Sequence, residues 1–154
     1  MPSKYQQLRV RILVKAFPQP SEKHEETVCC AGITEDGSRL LRLFPIGYRR
    51  LPHEHQFDRF DLVQLTATKA SDPRPESFRV DEESIQLIES GKKLSDEAKV
   101  QLWQPFIASS LKQLYADNRE SSRSLGIIRP REASLTVLSD ALPPAALWPF
   151  VAQR

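Results

Sequence analysis

Hydrophobic and polar positions alternate along the first half of the chain with the two-residue period of β-strands. Leu41 and Leu43 flank Arg42 in this way, and an Asp36-Gly37 pair just before them predicts a hairpin turn. A long polar loop is predicted over residues 45–57. The strands predicted in this zone cover residues 8–15, 27–33, 39–44, 60–68 and 77–80.

The apolar period changes to that of a helix in residues 84–123. Ser95 is a suitable N-cap, and Asp96 and Glu97 follow it in the first turn, where carboxylates favour the helix dipole. Pro105 predicts either the start of a second helix or a kink. One helical stripe is formed by Trp103, Phe106, Ile107, Leu111, Leu114 and Tyr115.

A β pattern returns near the end of the sequence. Residues 125–130 and 133–138 are predicted to be strands, and the tail around Trp148 is apolar enough that we expect it to dock on the domain. The fold class is therefore α+β and β-rich: a small OB-like or PUA-like curved barrel with a helical segment packed on it. We expect one domain over residues 1–154, with a β zone at 8–80, a helical zone at 84–123, and a β return with the docked tail at 124–154.

Composition excludes several classes of protein. The chain has 154 residues, of which 40% are hydrophobic and 27% charged, so it can bury a core and is not a disordered sequence. A net charge of +2 argues against a polycationic tail but leaves room for a local basic face. Apolar runs are too short to cross a bilayer and no signal peptide is visible, so we expect a cytoplasmic protein with no membrane partner.

Side chains suited to catalysis are sparse. Cys29 and Cys30 are adjacent, which disfavours a disulfide between them, and no C-x-x-C motif occurs. The His53-Glu54-His55 run lies in the polar loop without further ligands for zinc, so it is interpreted as a solvated loop. We therefore favour a protein that is not an enzyme and predict no cofactor, no metal site and no catalytic residue. The alternative enzyme would have a dispersed site that uses His24, Glu26 and Asp72.

The positions of the arginine residues indicate a function more strongly than the sparse catalytic side chains do. Seven arginines and Lys69 lie between residues 39 and 79 against five acidic residues, with several aromatic residues among them. Guanidinium groups bind phosphate in a fork, and aromatic rings stack on bases. We therefore predict binding to DNA or RNA, with single strands favoured, in which arginine and lysine clamp phosphates and the tyrosine stacks on a base. The predicted binding residues are Lys15, Arg42, Tyr48, Arg49, Arg50, Arg74 and Arg79.

Two other interpretations of these patterns stay open. Asp72, Arg74 and Glu76 would, in a purely structural role, form an ion-pair network that pins the proline-rich turn, and the aromatic residues would belong to the core. The chain would alternatively be a protein-interaction subunit whose partner binds the apolar region around Trp148, because buried tryptophan is a frequent interface anchor.

Several short motifs together resemble those of a known group. They are Lys15-Ala16-Phe17-Pro18, residues 26–33, Arg42-Leu43-Phe44-Pro45, residues 72–77 and residues 124–130. The pattern is similar to that of uncharacterised bacterial proteins with an OB-like β-barrel, the dual OB-containing domain group. The resemblance implies a nucleic-acid-facing or assembly role as an accessory module in mobile-element or defence loci, and it carries over no catalytic residue. One departure is length, because 154 residues are too few for two complete barrels. PUA/ASCH-like RNA-binding domains would show a similar strand count and a basic cleft.

Overall fold

The computed structural model describes residues 4–16, 19–21, 25–132 and 134. Within them six strands precede two short α-helices. The strands are β1 (Tyr5–Lys15), β2 (Gln19–Ser21), β3 (Glu25–Thr34), β4 (Leu40–Ile46), β5 (Leu62–Lys69) and β6 (Ser77–Glu89); the helices are α1 (Asp96–Trp103) and α2 (Leu111–Ser121).

Five of these strands close into a barrel. The hydrogen-bonded order is β1-β5-β6-β4-β3, and β1 also pairs with β3, which completes the ring. All of these pairings are antiparallel except β4 with β6, which run parallel. The small closed barrel with accompanying helices confirms the predicted β-rich α+β class, and it is compatible with an OB-like fold.

Alternation along the strands builds the barrel core. Val10 and Ile12 of β1, Leu43 of β4 and Val63 of β5 are fully buried. They belong to two-residue repeats of the inward side, on which Leu41, Leu65 and Ala67 are also buried. Ile85 of β6 is also fully buried. Register shifts in β1, β3 and β6 add the bends that a five-stranded ring requires.

The structure corrects several predicted strand boundaries, including the start of β1, which is Tyr5 and not residue 8. β6 continues to Glu89, so residues 84–89, which were predicted to begin the helical zone, belong to the barrel. β4 continues through Pro45 to Ile46, which pairs with Val28 of β3, and the rest of residues 45–57 lies outside the strands.

The helical segment is confirmed in part. Ser95 caps α1, and its hydroxyl accepts the backbone N–H of Ala98 at 3.2 Å. Pro105 does not open the second α-helix but lies in a 3₁₀ turn, Gln104–Phe106, and α2 begins only after the N-cap Ser110. The predicted apolar stripe from Trp103 to Tyr115 is therefore divided between α1, the 3₁₀ turn and α2. No helix in the described part of the chain combines the length and apolarity needed to cross a bilayer.

The first strand of the predicted β return, residues 125–130, is wrong. Among residues 125–130 only Ile127 forms a β-bridge, a single parallel one with Ile107. The other predicted strand, residues 133–138, falls outside the described residues apart from position 134. The tail around Trp148 and its predicted docking also lie outside them.

Candidate nucleic-acid interface

The seven predicted binding residues do not form one surface. Arg42 and Arg79 lie on the outer face of the barrel, Lys15 and Tyr48 contact each other at one end of β1, and Arg74 belongs to the turn before β6. Arg49 and Arg50 form part of the 3₁₀ turn Tyr48–Arg50 that follows β4. Of these residues, only Arg42 and Arg79 flank an exposed aromatic ring, that of Phe44. The candidate interface is therefore built on this pair.

We name Arg42, Phe44 and Arg79 the Arg–Phe face. Arg42 and Phe44 are two residues apart on β4 and therefore point to the same side, opposite the buried Leu41 and Leu43. In the parallel β4–β6 ladder, Phe44 lies opposite Arg79. The Arg42 guanidinium carbon is 5.2 Å from the centre of the Phe44 ring, which still exposes 38% of its residue surface.

The Arg42 side chain is held in place by its neighbours. Its Nη1 donates to the Ser77 hydroxyl at 3.1 Å and its Nη2 to the Cys29 sulfur at 3.3 Å. These bonds come from strands on both sides of β4, so the guanidinium lies across the outer face beside Phe44. A side chain fixed in this way loses little rotamer freedom when it binds a ligand.

The same outer side of the barrel continues across two more strands, with the buried Thr68 between the exposed residues. Arg79 lies opposite Thr68 of β5, and Thr68 lies opposite Tyr5 of β1, which is 60% exposed. The row from Tyr5 to Phe44 therefore spans three strand spacings, roughly 14 Å. Exposed Asp81, two residues beyond Arg79, marks the limit of the basic surface on β6.

Lys15 and Tyr48 form an internal cluster with Phe57. The Lys15 ammonium is 4.0 Å from the centre of the Tyr48 ring and donates to the Phe57 carbonyl at 2.8 Å and to Asp58 at 3.3 Å. The Tyr48 hydroxyl donates to the same carbonyl, and its ring meets the buried Phe57 ring edge to face at 5.3 Å. Burial of Lys15 opposes its charge, but Tyr48 and Asp58 outweigh that effect and raise the pKa of Lys15. Tyr48 packs against the barrel core, with Lys15 over its ring and the Phe57 ring at right angles to it.

Arg74 is engaged in its own turn. Its guanidinium pairs with both oxygens of Asp72 at 3.2 and 3.3 Å, and the same carboxylate accepts the Arg74 backbone N–H at 3.0 Å. Burial opposes the charge of Asp72, and the bonds from Arg74 outweigh it, so the pKa of Asp72 is lowered. This geometry agrees with the alternative interpretation in which Arg74 forms an ion pair that pins the proline-rich turn. Glu76, however, binds Ser124 instead of joining that ion pair.

Arg49 and Arg50 are exposed and lie one 3₁₀ turn beyond β4. Arg50 folds back over Gly47, where a side-chain carbon would come within 2.4 Å of its Nη2. It also lines a recess of about 420 Å³ together with His55, Glu82 and Glu83. The two carboxylates make this recess unfavourable for phosphate.

The groups suited to metal or nucleophilic chemistry do not converge in the described part of the chain. No three histidine, cysteine or acidic residues there form a metal-binding group. His53–His55 is a 3₁₀ turn, and His55 Nδ1 is buried with no hydrogen-bond partner among the described residues. Burial, only partly offset by the charge of Lys15, raises the pKa of Cys30 to about 12, so that thiol stays protonated at neutral pH. Of the dispersed candidates, Asp72 is paired as above and His24 lies outside the described residues.

Two aromatic residues of this surface, Phe44 and Tyr5, are absent from the predicted set. Phe44 could have been found from sequence, because its spacing of two from Arg42 on a predicted strand places both on one face. Tyr5 precedes the predicted strand, and only the β1–β5 register brings it to the same row.

Residues 6–105 match a family described as a domain of unknown function, DUF8758. The chain belongs to the DUF8758 family. The matched range covers nearly all of the barrel together with α1, whereas α2 follows it. No curated protein and no solved structure matches the chain. The DUF8758 match thus includes the whole Arg–Phe face.

Proposed function

We propose that this protein is a nucleic-acid-binding accessory module that holds a single strand on the Arg–Phe face. The observation that carries the proposal is the exposed Phe44 ring between the guanidinium-bearing Arg42 and Arg79 on the outer side of the barrel. The proposed setting is the cytoplasm, in a bacterial mobile-element or defence system.

The chemistry of the three side chains supports this proposal. Exposed Arg79 can bind phosphate oxygens through the fork of its guanidinium group. Arg42 already donates to Ser77 and Cys29, so it adds positive charge and its remaining N–H donors. The Phe44 ring can stack on a base on the side that Arg42 does not cover.

OB-like barrels bind oligonucleotides on the face of their second and third strands. By strand order these positions correspond to β3 and β4, and Arg42 and Phe44 lie on β4 while Arg79 lies on the adjacent β6. A single strand is favoured over a duplex because its bases are free to stack on Phe44.

Fluorescence anisotropy with labelled single- and double-stranded DNA and RNA, at low and moderate salt, tests the proposal. We expect binding to at least one single strand that weakens as salt rises, because phosphate contacts release counterions. Arg79→Ala should reduce affinity and lower the salt slope by about 1. Arg119→Ala is the matched control, since Arg119 is exposed and belongs to α2 and not to the barrel strands.

Two outcomes would contradict the proposal. A folded protein that binds none of the four nucleic acids would overturn it. Equal loss of affinity in Arg79→Ala and Arg119→Ala would also contradict the proposal. The loss of one positive charge anywhere on the protein would then explain both results, without a contact at the Arg–Phe face.

A further inference from the structure

Helix α2 presents apolar side chains that the described part of the chain does not cover. Leu111 is 58% exposed and Tyr115 67% exposed, four residues apart on one side of the helix. Leu114 alone packs closely against the segment after the helix, where a side-chain carbon on Gly126 would come within 2.3 Å of Leu114 Cδ2. Large apolar residues grouped in this way commonly mark a contact surface.

These residues line a groove between α2 and the segment that follows it. The groove has a volume of about 570 Å³, and its apolar walls come from Leu111, Leu114, Tyr115 and Leu125. Asp117 lies on the wall as well and provides a carboxylate acceptor. The groove can therefore accept a large apolar side chain that carries one hydrogen-bond donor.

The sequence beyond the described residues has matching chemistry. Residues 135–154 contain only two charged residues, Asp140 and Arg154, and combine leucine, valine and proline with Trp148 and Phe150. Tryptophan joins a large apolar surface to a single N–H donor. Trp148 is fourteen residues beyond Ser134, so an extended chain reaches up to about 46 Å, well beyond the size of one small helix.

We propose that residues 135–154 of this same chain occupy the α2 groove, with Trp148 as the anchor. A tethered segment has an effective concentration in the millimolar range at a nearby site, so the intramolecular contact needs little affinity of its own to form. Its low charge leaves few ionic groups to desolvate when it enters the apolar walls. The contact would bury α2 residues and connect the tail to the domain.

Tryptophan fluorescence of the full chain tests this contact, because the chain has only two tryptophans, Trp103 and Trp148. In the variant Trp103→Phe the emission reports Trp148 alone. We expect this emission to lie to the blue of that of a free peptide of residues 135–154. Adding Leu111→Ser and Tyr115→Ser should move it towards the free-peptide value. Both side chains are exposed, so these changes spare the core. Leu87→Ser, on an exposed apolar residue of β6, is the matched control and should leave the emission unchanged.

Three results would overturn the proposal. Emission equal to that of the free peptide would show that Trp148 is in water. A blue emission that the α2 substitutions leave unchanged would place Trp148 elsewhere. A blue emission that shifts as the protein is diluted would assign the groove to a second copy of the chain. None of these results depends on nucleic-acid binding.

Discussion

The Glu76 carboxylate accepts two hydrogen bonds from Ser124, one from its backbone N–H at 2.6 Å and one from its hydroxyl at 2.7 Å. Glu76 is 7% exposed and lies just before β6, so this pair joins the barrel to the segment after α2. Burial opposes the charge of Glu76, but the donors of Ser124 outweigh it, and the pKa of Glu76 is lowered.

Glu76→Ala should therefore destabilise the fold. The substitution leaves two donors of Ser124 without their acceptor, and loss of such a pair costs about 1–3 kcal/mol of the free energy of unfolding. Urea denaturation followed by circular dichroism measures the loss. Glu83→Ala is the control, because Glu83 is exposed, and it should change stability by less than about 0.5 kcal/mol. Equal effects of the two substitutions would refute the role of Glu76 as a clamp.

Acid should weaken the same contact. The pKa of Glu76 is lower in the folded state than its ordinary value of 4.5, so its contribution to stability is fully present above pH 4.5 and is lost as the pH falls through the folded pKa. Glu76→Gln keeps an acceptor but does not titrate. Its unfolding midpoint should fall less steeply below pH 4.5 than that of the unmodified chain. Parallel curves would exclude Glu76 as a source of the acid dependence.

The variant Tyr48→Phe tests whether Tyr48 contributes to the stability of the fold or to nucleic-acid binding. It removes the hydrogen bond to the Phe57 carbonyl while keeping the ring beside Lys15, so we expect a loss of about 1 kcal/mol in the free energy of unfolding. Nucleic-acid affinity should stay unchanged at temperatures where the variant is folded. A weaker affinity with unchanged stability would instead restore Tyr48 to the interface.

Gly32→Ala tests how tightly β1 and β3 close the barrel. An added carbon would come within 2.5 Å of Val10 Cγ1 and 2.6 Å of the Arg11 carbonyl oxygen, so we expect a loss of about 1–3 kcal/mol of stability or more. Gly37→Ala is a useful comparison, since its added carbon meets open space and only its φ of +70° is unfavourable. Thermal denaturation should show the larger decrease for Gly32→Ala, and the reverse order would contradict the packing described.

The double variant Arg49→Ala/Arg50→Ala should weaken nucleic-acid binding less than Arg79→Ala. Both residues lie on the turn beyond β4 and not on the Arg–Phe face, and Arg50 faces a recess with two carboxylates. Anisotropy titrations over a salt series give the comparison. A larger effect of the double variant would move the interface to the turn.

Local patterns predicted much of the barrel because its strands alternate. Residues 8–15 and 39–44 show the two-residue period, and β1 and β4 cover them. β6 was predicted too short, because Asp81, Glu82 and Glu83 look like a loop in sequence. In the structure Asp81 pairs with Thr66 of β5 and the pairing resumes at Gln86, while residues 82–85 lie in a register shift between them. Pairing on both sides of this polar stretch keeps it within the strand, which apolar content alone does not indicate.

The candidate site was predictable only where it depends on neighbours within one strand. Arg42 is on an outward face because Leu41 and Leu43 point inwards. The contacts of Lys15 with Phe57 and Asp58 join residues more than 40 positions apart, and no local pattern encodes them. When a basic residue lies near an aromatic residue in the sequence, the sequence alone therefore does not show which of the two side chains faces solvent.

The position of β1 has a consequence for aggregation. At Val10 and Arg11 this strand hydrogen-bonds to β3 on one side and to β5 on the other, so neither of its sides is an open edge there. Displacing β1 would expose unpaired N–H and C=O groups on two strands at once, and such edges recruit strands from other molecules. Closure of the ring through β1 thus protects β3 and β5 against intermolecular β-pairing.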